Sequence, residues 1–203
     1  MNTNTEFDQV IANARQIFVL KMKDYGPSWR IMRPQTVNDQ LYIKAKRVRE
    51  IEMTGKNLVG ESVEGEMYAI VNYSIIGIIQ LRQGFSNDVD MTAEQATTLY
   101  DKYAQEAKDL MQLKNHDYGE AWREMYETSL TDIILTKINR NKSIAAHNNM
   151  TIVSEGCEGN YFDMINYAVF YLIKTTAQDE QTVERPKRHK LSAIEKKFAI
   201  KRK

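Results

Sequence analysis

Basic, acidic and aromatic residues recur together at two places in the chain. The segment Lys-x-x-Asp-Tyr-Gly-x-x-Trp-Arg-x-Met begins at Lys21 and begins again at Lys114. Such a segment can line a ligand site, because it brings acidic, basic and aromatic residues together at a helix end. The alternative is a capped helix end, in which Gly sets the backbone geometry and the rings pack on the fold. The ligand-contact candidates are Lys21, Asp24, Lys114, Asp117, Tyr118 and Trp122.

Two cations one helical turn apart follow each of these segments. They are Lys44 with Arg47 in the first case and Lys137 with Arg140 in the second. Residues three apart share a helix face, and such a pair can hold a phosphate or a carboxylate, with Arg binding two oxygens at once. A solvent-facing ion pair is the alternative. Both cations recur while their neighbours change, which strengthens the ligand interpretation and leaves both alternatives open.

Acidic residues near the end of the second half are candidate metal ligands. These are Glu155, Glu158 and Asp163. Mg²⁺ prefers carboxylate oxygens as ligands, although acids at a helix start are also favoured by the helix dipole alone. Ala69 stands in the first half where the second has Asp163. Any metal chemistry is therefore predicted in the second half.

The two segments belong to one unit that is written twice. A shift of 93 positions superposes Leu20–Met32 on Leu113–Met125, and a shift of 94 superposes Asn72-Tyr73 on Asn166-Tyr167. The match includes both tryptophans of the chain, which chance explains poorly, and it indicates an internal repeat. The predicted units are a first repeat at 1–90, a second repeat at 91–180 and a basic tail at 181–203.

Each repeat is predicted to form three helices. The first is amphipathic and ends at Asp-Tyr-Gly, because Gly tolerates the positive φ of a helix end; Thr92 is predicted to cap its second copy. The second helix is predicted to begin at Thr36 or Ser129, each followed by Asp three residues later as in a capping box. The third, at about 61–82 and 155–175, is apolar nearly all round and is predicted to be central. The fold class is all-α, two three-helix repeats packed as a pseudo-two-fold bundle.

Composition favours a globular, intracellular protein. Hydrophobic residues make up 42% and charged residues 27% of the chain. The most apolar runs, Met67–Ile79 and Tyr161–Ile173, are shorter than the ~20 residues that span a bilayer, so no membrane contact is predicted. The single cysteine, Cys157, cannot form an internal disulfide, and the polar N-terminus lacks the form of a signal peptide. These features together predict a cytoplasmic protein.

The charge is unevenly distributed along the chain. The formal net charge is +1, and residues 184–203 alone carry +7, which leaves −6 for residues 1–183. A basic tail on an acidic body can contact nucleic acid or an acidic partner. A tail that is simply solvated is the more common case.

The motifs together resemble the nucleotide modification associated domain 1 family. They comprise the Lys-x-x-Asp-Tyr-Gly element, a later Lys-x-x-Arg and a closing helix with acids and Asn-Tyr; in the second repeat these are Lys114, Asp117, Tyr118, Gly119, Lys137, Arg140, Asp163, Asn166 and Tyr167. The resemblance covers both halves, and it implies a helical fold and a role near nucleotides or modified bases.

A weaker similarity is to the all-α nucleotide pyrophosphohydrolases, in which acids on two helices hold Mg²⁺. Glu155, Glu158 and Asp163 match one half of that arrangement, but the preceding helix offers Lys137 and Arg140 in place of a second acidic pair. This departure disfavours metal-dependent hydrolysis and leaves phosphate binding in place.

The leading hypothesis is a protein that binds a phosphorylated nucleoside. Lys137 and Arg140 would hold phosphate, Tyr118 or Trp122 would stack on the base, and the acids of the last helix would hold Mg²⁺. The alternatives are a Mg²⁺-dependent nucleoside triphosphate pyrophosphohydrolase-like enzyme and a non-enzymatic structural or interaction protein. The sequence does not decide whether a reaction is catalysed.

Overall fold

The described part of the chain is entirely helical. A computed structural model describes residues 2–146 and 156–184, and their side chains as far as residue 177. These ranges contain no strand, which confirms the all-α prediction. The α-helices are α1 Thr3–Tyr25, α2 Pro34–Thr54, α3 Val63–Gln83, α4 Ala93–Tyr118, α5 Glu127–Ala146 and α6 Gly156–Glu184, and short 3-10 turns lie at Ser28–Ile31 and Ala121–Glu124.

The two repeats pack with matching contacts. Helices α3 and α6 pack against each other, and each also packs against the second helix of its own repeat. Helix α2 contacts α5, and α1 contacts α4. Across the repeats, α1 contacts α6 in the same way that α4 contacts α3. Each of these contacts between α-helices therefore has its counterpart in the other repeat, as a pseudo-two-fold bundle requires.

One hydrophobic core serves both repeats, and the third helices lie at its centre. Ile75 and Ile78 of α3 and Ile165 of α6 are fully buried. A helix that is apolar on nearly every side must be buried on nearly every side, so the predicted central position is confirmed. The two helices approach closely at Gly77, where an added Cβ would lie 2.6 Å from the ring of Tyr161.

Glycine ends the first helix of each repeat, as predicted. Gly26 follows α1 with φ +63°, and Gly119 follows α4 with φ +60°. Side chains other than Gly rarely adopt this region. Thr92 begins α4 with a complete capping box, in which its side chain accepts from the backbone N–H of Gln95. The predicted cap is therefore confirmed.

The predicted starts of the second helices are wrong. Helix α2 begins at Pro34 and not at Thr36, and no side chain caps its first turn. Proline favours the first helical position because its ring fixes φ at a helical value and it has no N–H to leave unpaired. Helix α5 likewise begins at Glu127, so Ser129 lies inside its first turn.

Several predictions fall at the margins of the described residues. No described helix is long and apolar enough to cross a membrane. Helix α6 continues to Glu184, past the predicted repeat boundary at 180. Glu155 and residues 185–203, which hold the cations of the basic tail, lie outside the described residues. Cys157 is half-buried, and burial raises the pKa of its thiol.

Candidate functional site

Each repeat holds a cavity between its first helix, its 3-10 turn and its third helix. The volume is about 350 Å³ in the first repeat and about 310 Å³ in the second, at the lower end of the range for small-molecule sites. The second cavity is lined by Met111, Lys114, Asn115, Tyr118, Ala121, Trp122, Met125, Asp163, Asn166, Tyr167 and Phe170. The first is lined by Phe18, Lys21, Met22, Tyr25, Ser28, Trp29, Met32, Ala69, Asn72, Tyr73 and Ile76. The two sets correspond position by position at shifts of 93 and 94, so the repeat extends to a pair of equivalent cavities.

A carboxylate flanked by two lysines marks the second cavity. Asp163 of α6 is 9% exposed. Lys114 of α4 places Nζ 2.5 Å from its Oδ1, and Lys137 of α5 places Nζ 2.5 Å from its Oδ2. Both are short, charge-assisted hydrogen bonds. All three helices of the second repeat thus bring a predicted site residue to one point.

The first repeat places its carboxylate one helical turn earlier. Ala69 takes the position of Asp163, and Lys44 and Arg47 contact Glu66 instead, at 3.1 Å and 2.5 Å. Glu66 is buried, and it is not among the residues that line the first cavity. The ion pair of the first repeat therefore lies away from its cavity.

The two arginines of the Lys-x-x-Arg pairs do different things. Arg47 donates to the side chain of Asn57 and to the carbonyl oxygen of Glu61, both at 2.9 Å, and so holds the loop between α2 and α3. Arg140 is exposed. Burial raises the pKa of the Tyr167 phenol, and the positive charge of Arg140 opposes this rise, so Arg140 lies near that ring. Arg47 is a structural residue, whereas Arg140 faces solvent near the second cavity.

The asparagine of the third helix differs between the cavities. In the first repeat, Asn72 donates to the carbonyl oxygen of Ala14 at 3.1 Å and accepts from the hydroxyl of Tyr100 at 2.8 Å. Its counterpart Asn166 is 4% exposed. Among the described residues, neither its amide nitrogen nor its amide oxygen has a hydrogen-bond partner. In the sequence, Asn166 is part of the Asn-Tyr motif of the family and was not predicted to contact a ligand.

The aromatic wall of the second cavity leaves one exposed ring. Trp122 stacks on Phe170, with centroids 4.3 Å apart and an interplanar angle of 3°, and the guanidinium of Arg123 lies 4.3 Å from the Trp122 centroid. Two groups so close to one ring must cover opposite faces. Trp122 therefore has no free face for a base, whereas Tyr118 is 74% exposed.

The arginine of the repeated segment is structural in both repeats. Arg30 is buried and binds Asp90 at 2.8 Å and the carbonyl oxygen of Gly84 at 2.7 Å, which fixes the connection between the repeats. Arg123 binds Glu6 at 2.5 Å, which fixes the start of α1. Buried or half-buried arginines of this kind require several partners, and these contacts explain why Arg recurs.

The aspartates of the repeated segment do not line the cavities. Asp24 and Asp117 are both exposed at the ends of α1 and α4. Asp117 contacts the ring Nδ1 of His116 at 3.1 Å. The lysine of the segment lines the cavity as its charged group, and the tyrosine lines it as an exposed ring. In the first repeat these residues are Lys21 and Tyr25.

The predicted metal ligands have separate partners. Glu158 binds Arg82 at 2.7 Å, and this arginine lowers the pKa of the Glu158 carboxyl. Asp163 is held by two lysines, and Glu155 lies outside the described residues. In the described ranges, no group of three Asp, Glu, His or Cys side chains is placed to hold a metal ion. Magnesium binding stays a prediction.

The fold and the paired cavities define an all-α tandem-repeat protein with an equivalent pair of cavities, one in each repeat. The family model for nucleotide modification associated domain 1 matches residues 21–81 and 114–175, and the chain belongs to this family. The two matched segments begin at Lys21 and Lys114, which supports the tandem duplication. No match to the chain is found among curated proteins or among solved structures.

Proposed function

We propose that the protein binds a nucleoside phosphate in the cavity of its second repeat. The observation that carries the proposal is the convergence of Lys114 and Lys137 on Asp163 at the cavity wall. A phosphate offers the same paired oxygens as a carboxylate, so it can take over lysine hydrogen bonds that Asp163 now accepts. The family description, which associates the domain with nucleotide modification, supports a nucleotide as the ligand.

The charge and the aromatic wall of the second cavity fit this ligand. Lys114, Lys137 and the nearby Arg140 outnumber Asp163, so the surroundings favour an anion. The exposed ring of Tyr118 offers a face on which a base can stack, a contact worth about 1–3 kcal/mol. Phosphate contacts at the lysines and stacking at Tyr118 together account for both parts of a nucleotide.

A thermal-shift panel tests the proposal. Nucleoside mono-, di- and triphosphates of all common bases are added with and without Mg²⁺, which also tests the predicted magnesium site. A nucleotide at about 100 times its Kd should stabilise the protein by about 2.7 kcal/mol, or roughly 5–11 °C in Tm for a chain of this size. If no nucleotide raises Tm with or without Mg²⁺, the proposal is wrong and a structural or interaction role is favoured.

The repeat supplies a matched control for the panel. A Lys114→Gln/Lys137→Gln double variant should lose most of the nucleotide-dependent shift, because it removes the phosphate donors. A Lys21→Gln/Lys44→Gln double variant changes the equivalent positions of the first repeat and should keep the shift. Equal loss in both variants would show that the effect does not arise from the second cavity.

A further inference from the structure

Resting on the proposed function, we infer that Asn166 reads the edge of the nucleobase, so that the second cavity recognises a base and the first does not. The basis is a difference between two positions that the repeat makes equivalent. Asn166 and Asn72 are both at least nine-tenths buried and both line a cavity. Among the residues that the structure describes, only Asn72 of this pair has its amide hydrogen-bonded.

One hydroxyl group accounts for the unpaired amide oxygen of Asn166. The acceptor of Asn72 is satisfied by Tyr100, which belongs to α4 of the other repeat. The position equivalent to Tyr100 in α1 is Phe7, at the same shift of 93, and it has no hydroxyl. Helix α1 contacts α6 as α4 contacts α3. The pseudo-two-fold therefore brings Phe7 towards Asn166, where it cannot donate.

An unpaired buried amide is costly unless a ligand completes it. A buried polar group without a partner lowers stability, so a ligand that pairs with both amide atoms of Asn166 regains free energy. An Asn side chain presents one donor and one acceptor side by side. Nucleobases carry adjacent acceptor and donor groups along their edges, and Asn pairs with adenine in this bidentate way in nucleic-acid complexes.

The other groups at the cavity leave this role to Asn166. Lys114 in the lining and Lys137, which contacts Asp163 from outside the lining, supply only donors, and Tyr118 offers a ring face, so none of them can distinguish one base edge from another. The other amide of the lining, Asn115, donates to the sulfur of Met111 at 3.1 Å. The indole Nε1 of Trp122 is also buried without a partner, but Trp29 has the same unpaired Nε1 in the first repeat. Among the described residues, the Asn166 amide therefore differs from its equivalent Asn72 in having no hydrogen-bond partner.

Isothermal titration calorimetry with a nucleotide, its nucleoside and ribose 5-phosphate tests the inference. The nucleotide that gives the largest thermal shift is used, and it should bind wild type with one site per chain. Ribose 5-phosphate should bind at least about 5-fold more weakly, because a bidentate base contact is worth about 5- to 150-fold in affinity. Equal affinity for the nucleotide and ribose 5-phosphate would overturn the inference and leave the proposed phosphate site intact.

Two variants test the role of the amide directly. Asn166→Leu should weaken the nucleotide by about 5- to 150-fold while leaving the affinity for ribose 5-phosphate unchanged. Phe7→Tyr should weaken it too, because the new hydroxyl can satisfy Asn166 as Tyr100 satisfies Asn72. If either variant folds with wild-type circular dichroism and keeps wild-type nucleotide affinity, the inference is wrong.

The matched control lies in the first repeat. Tyr100→Phe removes the hydroxyl that pairs with Asn72, so it should lower Tm and leave nucleotide affinity at the second cavity unchanged. A nucleotide that fails to bind wild type at all would end both the proposed function and this inference. A nucleotide that binds wild type and Asn166→Leu equally would end the inference alone.

Discussion

Replacing Asp163 by Asn should separate protein stability from ligand affinity. The substitution keeps the shape of the side chain and removes the charge that Lys114 and Lys137 share. A hydrogen bond to a charged group contributes about 1.5–3 kcal/mol. The Lys114 side chain is 42% exposed, and its share is reduced by solvent screening. The expected loss of stability is therefore about 1.5–3 kcal/mol in total, or roughly 3–12 °C in Tm.

The same substitution should tighten phosphate binding. A phosphate held by the two lysines would lie about 6 Å from the Asp163 carboxylate and be repelled by up to about 3 kcal/mol at an effective dielectric constant of 20. Removing the carboxylate also frees both lysines from competition. We expect the Kd for a nucleoside phosphate to fall by at least about fivefold, measured by calorimetry at two salt concentrations, with the larger gain at low salt.

Glu66→Gln is the control for this prediction. It removes the equivalent shared carboxylate from Lys44 and Arg47 in the first repeat. Its Tm should fall, and its nucleotide affinity should stay at the wild-type value. If Asp163→Asn instead weakens nucleotide binding, Asp163 contacts the ligand or a metal directly, and the reasoning about competition for the lysines is refuted.

Three further predictions concern packing in the core, the pH dependence of stability and the fluorescence of tryptophan. Gly77→Ala should lower stability by about 1–3 kcal/mol in denaturant unfolding, because its Cβ would meet the ring of Tyr161 at 2.6 Å, whereas Gly65→Ala should not be destabilising, since helix propensity favours Ala. Burial raises the pKa of Glu52 above its ordinary value, so the folded protein binds this proton more tightly than the unfolded chain does. Stability should therefore fall as the pH rises through the acidic range. Glu52→Gln should reduce this fall and raise Tm at neutral pH. In a Trp29→Phe variant, the remaining tryptophan lines the second cavity, and nucleotide binding should change its fluorescence; an unchanged spectrum at saturation would place the ligand elsewhere.

The sequence predicted the repeat and the helices well because both rest on local patterns. The apolar character of α3 and α6 and the glycine after each first helix are visible along the chain. The start of α2 was missed because the capping-box pattern at Thr36 competes with the strong preference of Pro34 for the first helical position. The start of α5 was missed because the pattern at Ser129 competes with an acidic residue, Glu127, which the helix dipole favours in the first turn. Which of two overlapping signals prevails depends on packing.

The site was predicted less completely, because several roles depend on contacts between the repeats. Lys114, Lys137 and Asp163 were candidates, and the structure brings them together. The base-stacking role considered for Trp122 is excluded by Phe170 and Arg123, which cover its ring. The environment of Asn166 depends on a residue more than a hundred positions away and on the packing of α1 against α6. A comparison of Tyr100 with Phe7 at the repeat shift is the one sequence signal that points to it.

The central claim is that the second cavity alone binds a nucleotide through Asn166, Lys114 and Lys137. A crystal structure of the chain grown with the most stabilising nucleotide tests it most directly. We predict density for one nucleotide per chain, with the base edge at the Asn166 amide, the base face on Tyr118 and the phosphate at the two lysines. A nucleotide in both cavities, or bound outside the second one, would contradict the account.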